Sequence, residues 1–365
     1  MKKNLFLGIA CLLACVSCSE DEVSYDPRKT IQVTEGAYII NQGNYYSGIS
    51  GTLTYHSYTE GTTTQKAFAT ANGRALGATP NDGLIYGGKL YIVVSDEQTV
   101  EIVDRRTLRS VRQLRTSTLG EKGGMPRKAV AQDGKVYVSM FSGYVAVIDT
   151  ASCSFTGTLQ AGSYPEGMTI LNNNLYVANS DYGNVTNASL SRINLSTGES
   201  TLLRDSCIIN PVAISSYNGN LYILDSGTYD ANWCSVEQGV RKMTAEGEVT
   251  RFCEGTFMAL ADNRLYTINC PYTIPATIPS YWVYDLDKGT KETFIDGTDV
   301  VTPCAIAADP VSDHVIITSY VKGEYGYADY NANGYALLYD KTGQKISRWT
   351  TGVTPCGICF SSTKK

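Results

Sequence analysis

An all-β fold, a seven-bladed β-propeller of four-stranded blades, is what this sequence predicts, and three observations carry the prediction. An apolar-aromatic strand signature recurs seven times at a mean spacing of about 46 residues, which suits a four-stranded blade. Short β-rich runs broken by Gly, Asn and Asp turns fill the intervals, with no convincing amphipathic helix. Finally, Val353-Thr-Pro-Cys-Gly-Ile358 nearly repeats Val301-Thr-Pro-Cys-Ala-Ile306, yet no further signature follows it.

The chain opens with Lys2 and Lys3 ahead of an apolar run from Leu5 to Leu13. That run is too short for a bilayer-spanning helix, which needs about 20 residues, and it has the shape of a secretory leader. Cysteines directly after small residues resemble the lipobox of bacterial lipoproteins. Cys15, behind Leu12-Leu13-Ala14, fits the usual box. Cys18 is followed by Ser19-Glu-Asp-Glu22, which resembles the surface-export signal of Bacteroidetes lipoproteins, and it is taken as the lipidated residue. A plain secreted protein is the alternative. On this reading residues 1–17 are the signal peptide, 18–30 an acidic tether after the lipidated cysteine, and 31–365 the propeller.

The seven signatures place Tyr38, Tyr91, Tyr137, Tyr176, Tyr222, Tyr266 and Ile316 at equivalent positions of the second strand of each blade. A third strand ending in a polar turn follows, as in Val100-Glu-Ile-Val-Asp104, Val145-Ala-Val-Ile-Asp149, Leu190-Ser-Arg-Ile-Asn194, Val283-Tyr-Asp285 and Ala336-Leu-Leu-Tyr-Asp340. Upstream comes a first strand, often led by proline: Pro126-Arg-Lys-Ala-Val130, Pro165-Glu-Gly-Met168, Pro211-Val-Ala-Ile214 and Pro303-Cys-Ala-Ile306. The Tyr38 copy has no such strand before it. Residues 353–360 are therefore expected to supply the innermost strand of blade 1, closing the ring and removing two exposed sheet edges.

The passages Val136 to Asp149 and Leu175 to Asn194 resemble YVTN-type propeller repeats. Gly36-Ala-Tyr-Ile-Ile-Asn-Gln-Gly-Asn44, Ala71-Asn-Gly-Arg74 and Ile85-Tyr-Gly-Gly-Lys-Leu-Tyr-Ile-Val93 resemble YncE-like propeller lipoproteins of Bacteroidetes. That group includes surface cobalamin-binding proteins partnered with outer-membrane transporters. The resemblance covers nearly the whole mature chain. It implies an outer-membrane, cell-surface location, held by lipid alone, and suggests a corrinoid ligand passed to a transporter partner. No stretch marks corrinoid binding by itself.

Composition limits the chemistry. The net charge is −5 and no basic stripe is present, which argues against nucleic acid, where Lys and Arg must neutralise phosphates. Twenty-six tyrosines stand against two histidines, His56 and His314, so material for stacking is plentiful and material for metal or acid–base catalysis is scarce. No cofactor is expected. Eight cysteines follow Cys18. Cys304 and Cys356 read as buried free thiols, Cys234 and Cys270 as candidates for bridges, and Cys356-Gly-Ile-Cys359 has redox-motif spacing outside the βαβ context such a motif needs.

Function is expected where loops grow. In a blade, the loop between the second and third strands shares a face with the blade-to-blade connection. These loops are short in blades 2 and 3 (Ser95–Thr99, Phe141–Tyr144) and long in blades 4 to 7 (Ser180–Ser189, Ser226–Gly239, Cys270–Tyr281, Ser319–Gly334). Blade 1 adds residues 41–46. The expected ligand-binding residues are Asn44, Tyr45, Tyr46, Tyr182, Tyr229, Trp233, Tyr272, Tyr320, Tyr325 and Tyr327, with Tyr330 nearby. Tyr and Trp offer large apolar contact at low entropy cost and keep a polar tip. A bulky ligand with flat faces and peripheral amides fits such a surface, and a sugar would also stack; about half of the tyrosines are expected to pack the loops instead. The blades with short loops would leave an open side for ligand passage.

The function expected is a surface binding protein, not an enzyme. A structural, adhesive or glycan-binding propeller is the alternative. A propeller hydrolase or lactonase comes third, with Glu166 and Asp96 as acids near the axis but no partner histidine. Asp329-Tyr-Asn-Ala-Asn-Gly334 with Asp340 matches an EF-hand loop pattern, but Asp340 belongs to the repeat and an intervening strand would carry it away. Asp149-Thr-Ala151 resembles a Bacteroidetes O-glycosylation site, on weak grounds.

Overall fold

The computed structural model describes residues 32–364, in seven four-stranded antiparallel sheets that form a ring, a seven-bladed β-propeller. Cys18, the alternative Cys15, the leader and the tether lie outside the described residues. Among these no helix is long and apolar enough to cross a membrane.

Blades 2 to 7 each run from axis to rim in chain order. Their innermost strands are Pro80–Tyr86, Pro126–Gln132, Pro165–Leu171, Pro211–Tyr217, Phe257–Ala261 and Pro303–Ala308. Proline leads five of these six, at the first position of the strand, where no ladder hydrogen bond is lost. The second strands alternate between two buried faces, because each sheet is covered by a neighbouring blade on both sides. Tyr38, Tyr91, Tyr137, Tyr222 and Tyr266 are all buried there. Between blades 2 and 3, Tyr91, Val93 and Ile102 meet Val136, Val138 and Met140 in one apolar cluster.

Blade 1 is assembled from both ends of the chain. Gln32–Asn41 pairs with Pro355–Lys364, Tyr38 facing Cys359 and Asn41 facing Pro355. The C-terminal strand is therefore the inner strand of blade 1, as the duplicated Thr-Pro-Cys motif predicts.

Two repeat-coded polar devices hold the turns. On one face, Asp104, Asp149, Asn194, Asp285 and Asp340 each accept backbone N–H bonds from residues two to four positions on, at 2.7–3.2 Å. These bonds to the charged form, with the Thr342 hydroxyl contributing most at Asp340, hold the four carboxyls below their ordinary range. On the other face, the last residue of a second strand latches the incoming connector. Asn41 accepts from the Gly352 amide, Asn179 from Gly162, Asp225 from Asn210, and Ser319 donates to the Thr302 carbonyl.

Several expectations need amendment. The connector from blade 1 to blade 2 contains a short helix, Ala67–Asn72, which buries Ala67 and Phe68. Fewer than two turns leave too little periodicity to read. The long loops of blades 5 and 7 contain small hairpins, Thr228–Tyr229 with Ser235–Val236 and Val321–Lys322 with Ala328–Asp329. Gly227 opens the first at φ 61°, where a Cβ would lie 2.1 Å from the Val236 carbonyl oxygen. The eight described cysteines are all free, so Cys234 and Cys270 are not bridged. Their loops are joined instead by backbone: Ser235 N–H donates to Tyr272 O at 2.9 Å. Cys356 and Cys359 both face the inner strand of blade 2, because a bulge at Cys356 interrupts the strand's alternation, and both thiols are free.

Candidate functional site

All seven loops between second and third strands emerge on one face, together with the connectors between blades. Four of them, in blades 5, 6, 7 and 1, form a continuous crown, and the blade 4 loop with Tyr182 adjoins it through Asn210, whose Nδ2 donates to Gly227 O at 3.3 Å and lies beside Gly183. Blade 5 joins blade 6 through the Ser235–Tyr272 bond, and Tyr272 N–H returns a bond to Ser235 Oγ at 3.1 Å. Blade 6 joins blade 7 where the Tyr327 hydroxyl donates to Thr273 O at 3.0 Å and the Tyr272 and Tyr327 rings lie 5.5 Å apart. Blade 7 joins blade 1 where Asn44 Nδ2 donates to Asn331 Oδ1 at 2.9 Å.

Exposure divides the expected residues into two groups. Tyr46, Tyr325, Trp233 and Tyr182 stand out into solvent, at 97, 89, 73 and 69% exposed, with Tyr45, Tyr229 and Tyr272 also exposed. Tyr320, Tyr327 and Asn44 pack the crown. Tyr320 is half-buried, its ring 5.1 Å from that of the exposed Tyr330, and burial beside Cys304 raises its hydroxyl pKa. Tyr320, Tyr327, Tyr272 and Tyr330 line a cleft of about 190 Å³ between blades 6 and 7, with Cys270 on its wall. Burial pushes the Cys270 thiol up to about 11, so it is a neutral surface at physiological pH.

Backbone conformation separates the protruding group further. Tyr164, Tyr182, Trp233 and Tyr325 all sit in the left-handed region, at φ 51°, 53°, 62° and 58°. A bulky residue held there costs about 1–2 kcal/mol, and the surrounding structure must over-determine it. Asp230 does so for Trp233: its Oδ1 accepts the amides of Asn232 and Cys234 at 2.8 and 2.9 Å. Ser180 Oγ accepts the Tyr182 amide at 3.2 Å, and Asp181 is fixed by Ser163 and Asn187. The aromatic tips are thus presented by tight turns.

Phe141 and Tyr164 were not expected at the site. Phe141 lies on the short loop of blade 3, 5.1 Å from the Tyr164 ring and 5.9 Å from Tyr182. Loop length gives no sign of them, because these two residues sit on a three-residue loop and a connector. The aromatic step before Pro165 was the available cue. Blade 3 is accordingly less bare than its loop length implies.

Toward the axis the surface turns polar. The Arg127 guanidinium grips Glu166 through Nε at 3.0 Å and Nη2 at 3.3 Å, and lies 4.5 Å over the Phe141 ring. Lys128 stands 3.7 Å from Asp82, whose carboxyl is raised by burial. Glu166 is thus committed to an ion pair, and Asp96 accepts a bond from Thr79. Among the described residues no group of three or more His, Cys, Asp or Glu side chains could hold a metal. Asp329 accepts the Asn331 amide at 2.9 Å, while Asp340 serves a turn on the opposite face, so the EF-hand pattern does not assemble.

Residues 35–353 match the model of DUF5074, a domain of unknown function, and the chain belongs to that family. No curated protein matches the chain by sequence. Among solved structures it is similar to hydrazine synthase of Kuenenia stuttgartiensis, at 14% identity and a TM-score of 0.59 over 78% of this chain and 95% of that one. It is also similar to a putative 6-phosphogluconolactonase from Bacteroides uniformis, at 11% identity and a TM-score of 0.61 over 90% of this chain and 100% of that one. At such identities the likeness extends to the fold alone.

Proposed function

We propose that this DUF5074 propeller is a lipid-anchored surface protein of the outer membrane that captures a bulky ligand on its aromatic crown and performs no chemistry of its own. The ligand class is one with flat apolar faces and peripheral hydrogen-bonding groups. A corrinoid such as cobalamin, passed on to an outer-membrane transporter, is the specific candidate, resting on the resemblance to YncE-like lipoproteins. One observation carries the reading: three aromatic residues of one face, Tyr182, Trp233 and Tyr325, are held in left-handed backbone and are among the most exposed side chains of that face, whereas Tyr164 shares its φ with Thr79 and Thr354 at the same position of the repeat. Strain of this kind persists where a side chain must be aimed, and such positions cluster at ligand clamps.

The geometry constrains how such a ligand would lie. The cleft between blades 6 and 7 is below the range of about 300–1,000 Å³ typical of enclosing pockets. A corrinoid would rest across the crown, using the cleft for a substituent. The Arg127–Glu166 pair at the axis offers polar atoms beneath it. Committing Glu166 to that pair supports binding over hydrolysis, because a general base must be free to take a proton.

The test is a binding panel with the intact protein, cyanocobalamin against a set of soluble glycans. Stoichiometric corrinoid binding supports capture for uptake. Selective binding of a glycan would keep the crown as the site and replace the ligand. No binding by either would leave a structural or adhesive role.

A further inference from the structure

The face opposite the crown holds a cavity of about 1030 Å³ at the seam of blades 1 and 2, beside a turn of blade 7. Its walls include Leu84 and Ile85 of the inner strand of blade 2, Ile358 and Phe360 of the inner strand of blade 1, and Val311. Arg105 and Arg106, on the turn after the third strand of blade 2, line the same cavity.

The two arginines are placed by backbone and left open at their heads. The Arg105 amide donates to Gly88 O at 3.1 Å, and its carbonyl accepts the Tyr38 hydroxyl at 2.7 Å. Neither guanidinium makes a hydrogen bond or an ion pair among the described residues. The two carboxylates of the cavity wall are already engaged. Asp104 accepts the amides of Arg106 and Thr107, and Asp309 accepts Thr34, Ser312 at 2.6 Å and the Val311 amide. Glu35 belongs to a neighbouring cavity that the two arginines also border. The two guanidinium heads thus face the cavity with no carboxylate of the described residues at bonding distance.

We propose that this cavity binds an amphiphilic anion, with an apolar body against Ile85, Ile358 and Phe360 and a carboxylate or phosphate head on Arg105 and Arg106. Apolar walls supply affinity in proportion to the area they take from water, and unpaired guanidinium groups fix an oxyanion through charge-assisted bonds. The head belongs either to a free amphiphile or to an anionic lipid, and the experiment separates the two.

The full-length protein is labelled with a photoreactive diazirine fatty acid, and the cross-linked peptides are mapped by mass spectrometry. Labelling is expected on Pro80–Tyr86 and Pro355–Lys364, competed by decanoate and not by decanol. The Arg105→Gln, Arg106→Gln double variant should lose labelling at least tenfold at an unchanged melting temperature. Arg106→Glu, an exposed single change, serves if the double variant does not fold. Flotation stronger with phosphatidylglycerol than with phosphatidylcholine vesicles, the excess being lost in the variant, identifies a lipid; competition by decanoate with equal flotation on the two identifies a free amphiphile. Labelling spread over other strands, equal competition by decanol, or full labelling of the folded variants would overturn the proposal.

Discussion

At the residue scale, the informative positions are those where a side chain is held against its own preference. Trp233 at φ 62° should be a stability liability, since a glycine there escapes the left-handed penalty of about 1–2 kcal/mol. Trp233→Gly is therefore expected to leave the urea midpoint unchanged or raised, while ligand affinity falls. A drop in stability of more than about 1 kcal/mol would mean the indole is structural. His56 offers a second test. Burial lowers its pKa, and its ring stacks on Trp349 at 4.0 Å and 9°. As pH falls, the unfolded chain takes the proton first. The contribution is complete above about pH 6.5 and is lost as pH drops through that value toward the folded-state pKa. Asp82 and Asp225, raised by burial, act in the opposite sense from about pH 4 upward, so the comparison must be with a variant. Thermal melts from pH 8 to 5 should fall further for the wild type than for His56→Asn; parallel curves would contradict the assignment. Residue identity was legible for Tyr46, Trp233 and Tyr325, because loop aromatics have no repeat to explain them. Conformation was not, since left-handed backbone at Tyr or Trp leaves no mark in composition.

At the element scale, the latch from second strand to connector explains how a thin ring positions long loops. Asp225 ends the second strand of blade 5 fully buried and accepts the amides of Ile209 at 2.8 Å, Asn210 at 3.0 Å and Gly227 at 2.9 Å. Asp225→Ala leaves three donors without a partner, each worth about 1–3 kcal/mol. The expected loss is about 3 kcal/mol or more by urea denaturation, with Asp225→Asn recovering part of it. A loss below about 1 kcal/mol would show that water replaces the carboxylate. The second and third strands could be read from sequence because both of their faces are buried and the Tyr and Asp positions repeat. The hairpins of blades 5 and 7 and the short helix Ala67–Asn72 could not, since two-residue strands and fewer than two turns carry no periodicity. The latch itself was hidden by its variety: Asn41, Asn179, Asp225 and Ser319 fill one role with three residue types.

For the whole molecule, closure is the decisive feature. Pro355–Lys364 joins the first and last segments of the described chain, and without it the strand Gln32–Asn41 would present a bare edge at the axis. Truncation before Pro355 should abolish cooperative unfolding and drive the protein into aggregates, read by soluble yield and by loss of a sigmoidal urea transition. A soluble, cooperatively folding truncation would mean that the ring does not depend on the seam. The ring also sorts function by face. The strand Gln32–Asn41 starts on the face of the arginine-lined cavity and ends at the crown, so the chain enters the propeller on the side away from the aromatic residues. Loop length alone points to the crown, because seven equivalent loops serve as one another's controls. The arginine-lined cavity had no such signal, being assembled from short turns of ordinary length.

One titration tests whether the crown is a binding surface. Wild-type protein and a Tyr182→Ala, Trp233→Ala, Tyr325→Ala variant are titrated calorimetrically with cyanocobalamin, after circular dichroism confirms that the variant is folded. Stoichiometric binding to the wild type is expected, with affinity at least a hundredfold weaker in the variant, about 2.7 kcal/mol. Equal affinity in the two proteins would remove the crown as the site.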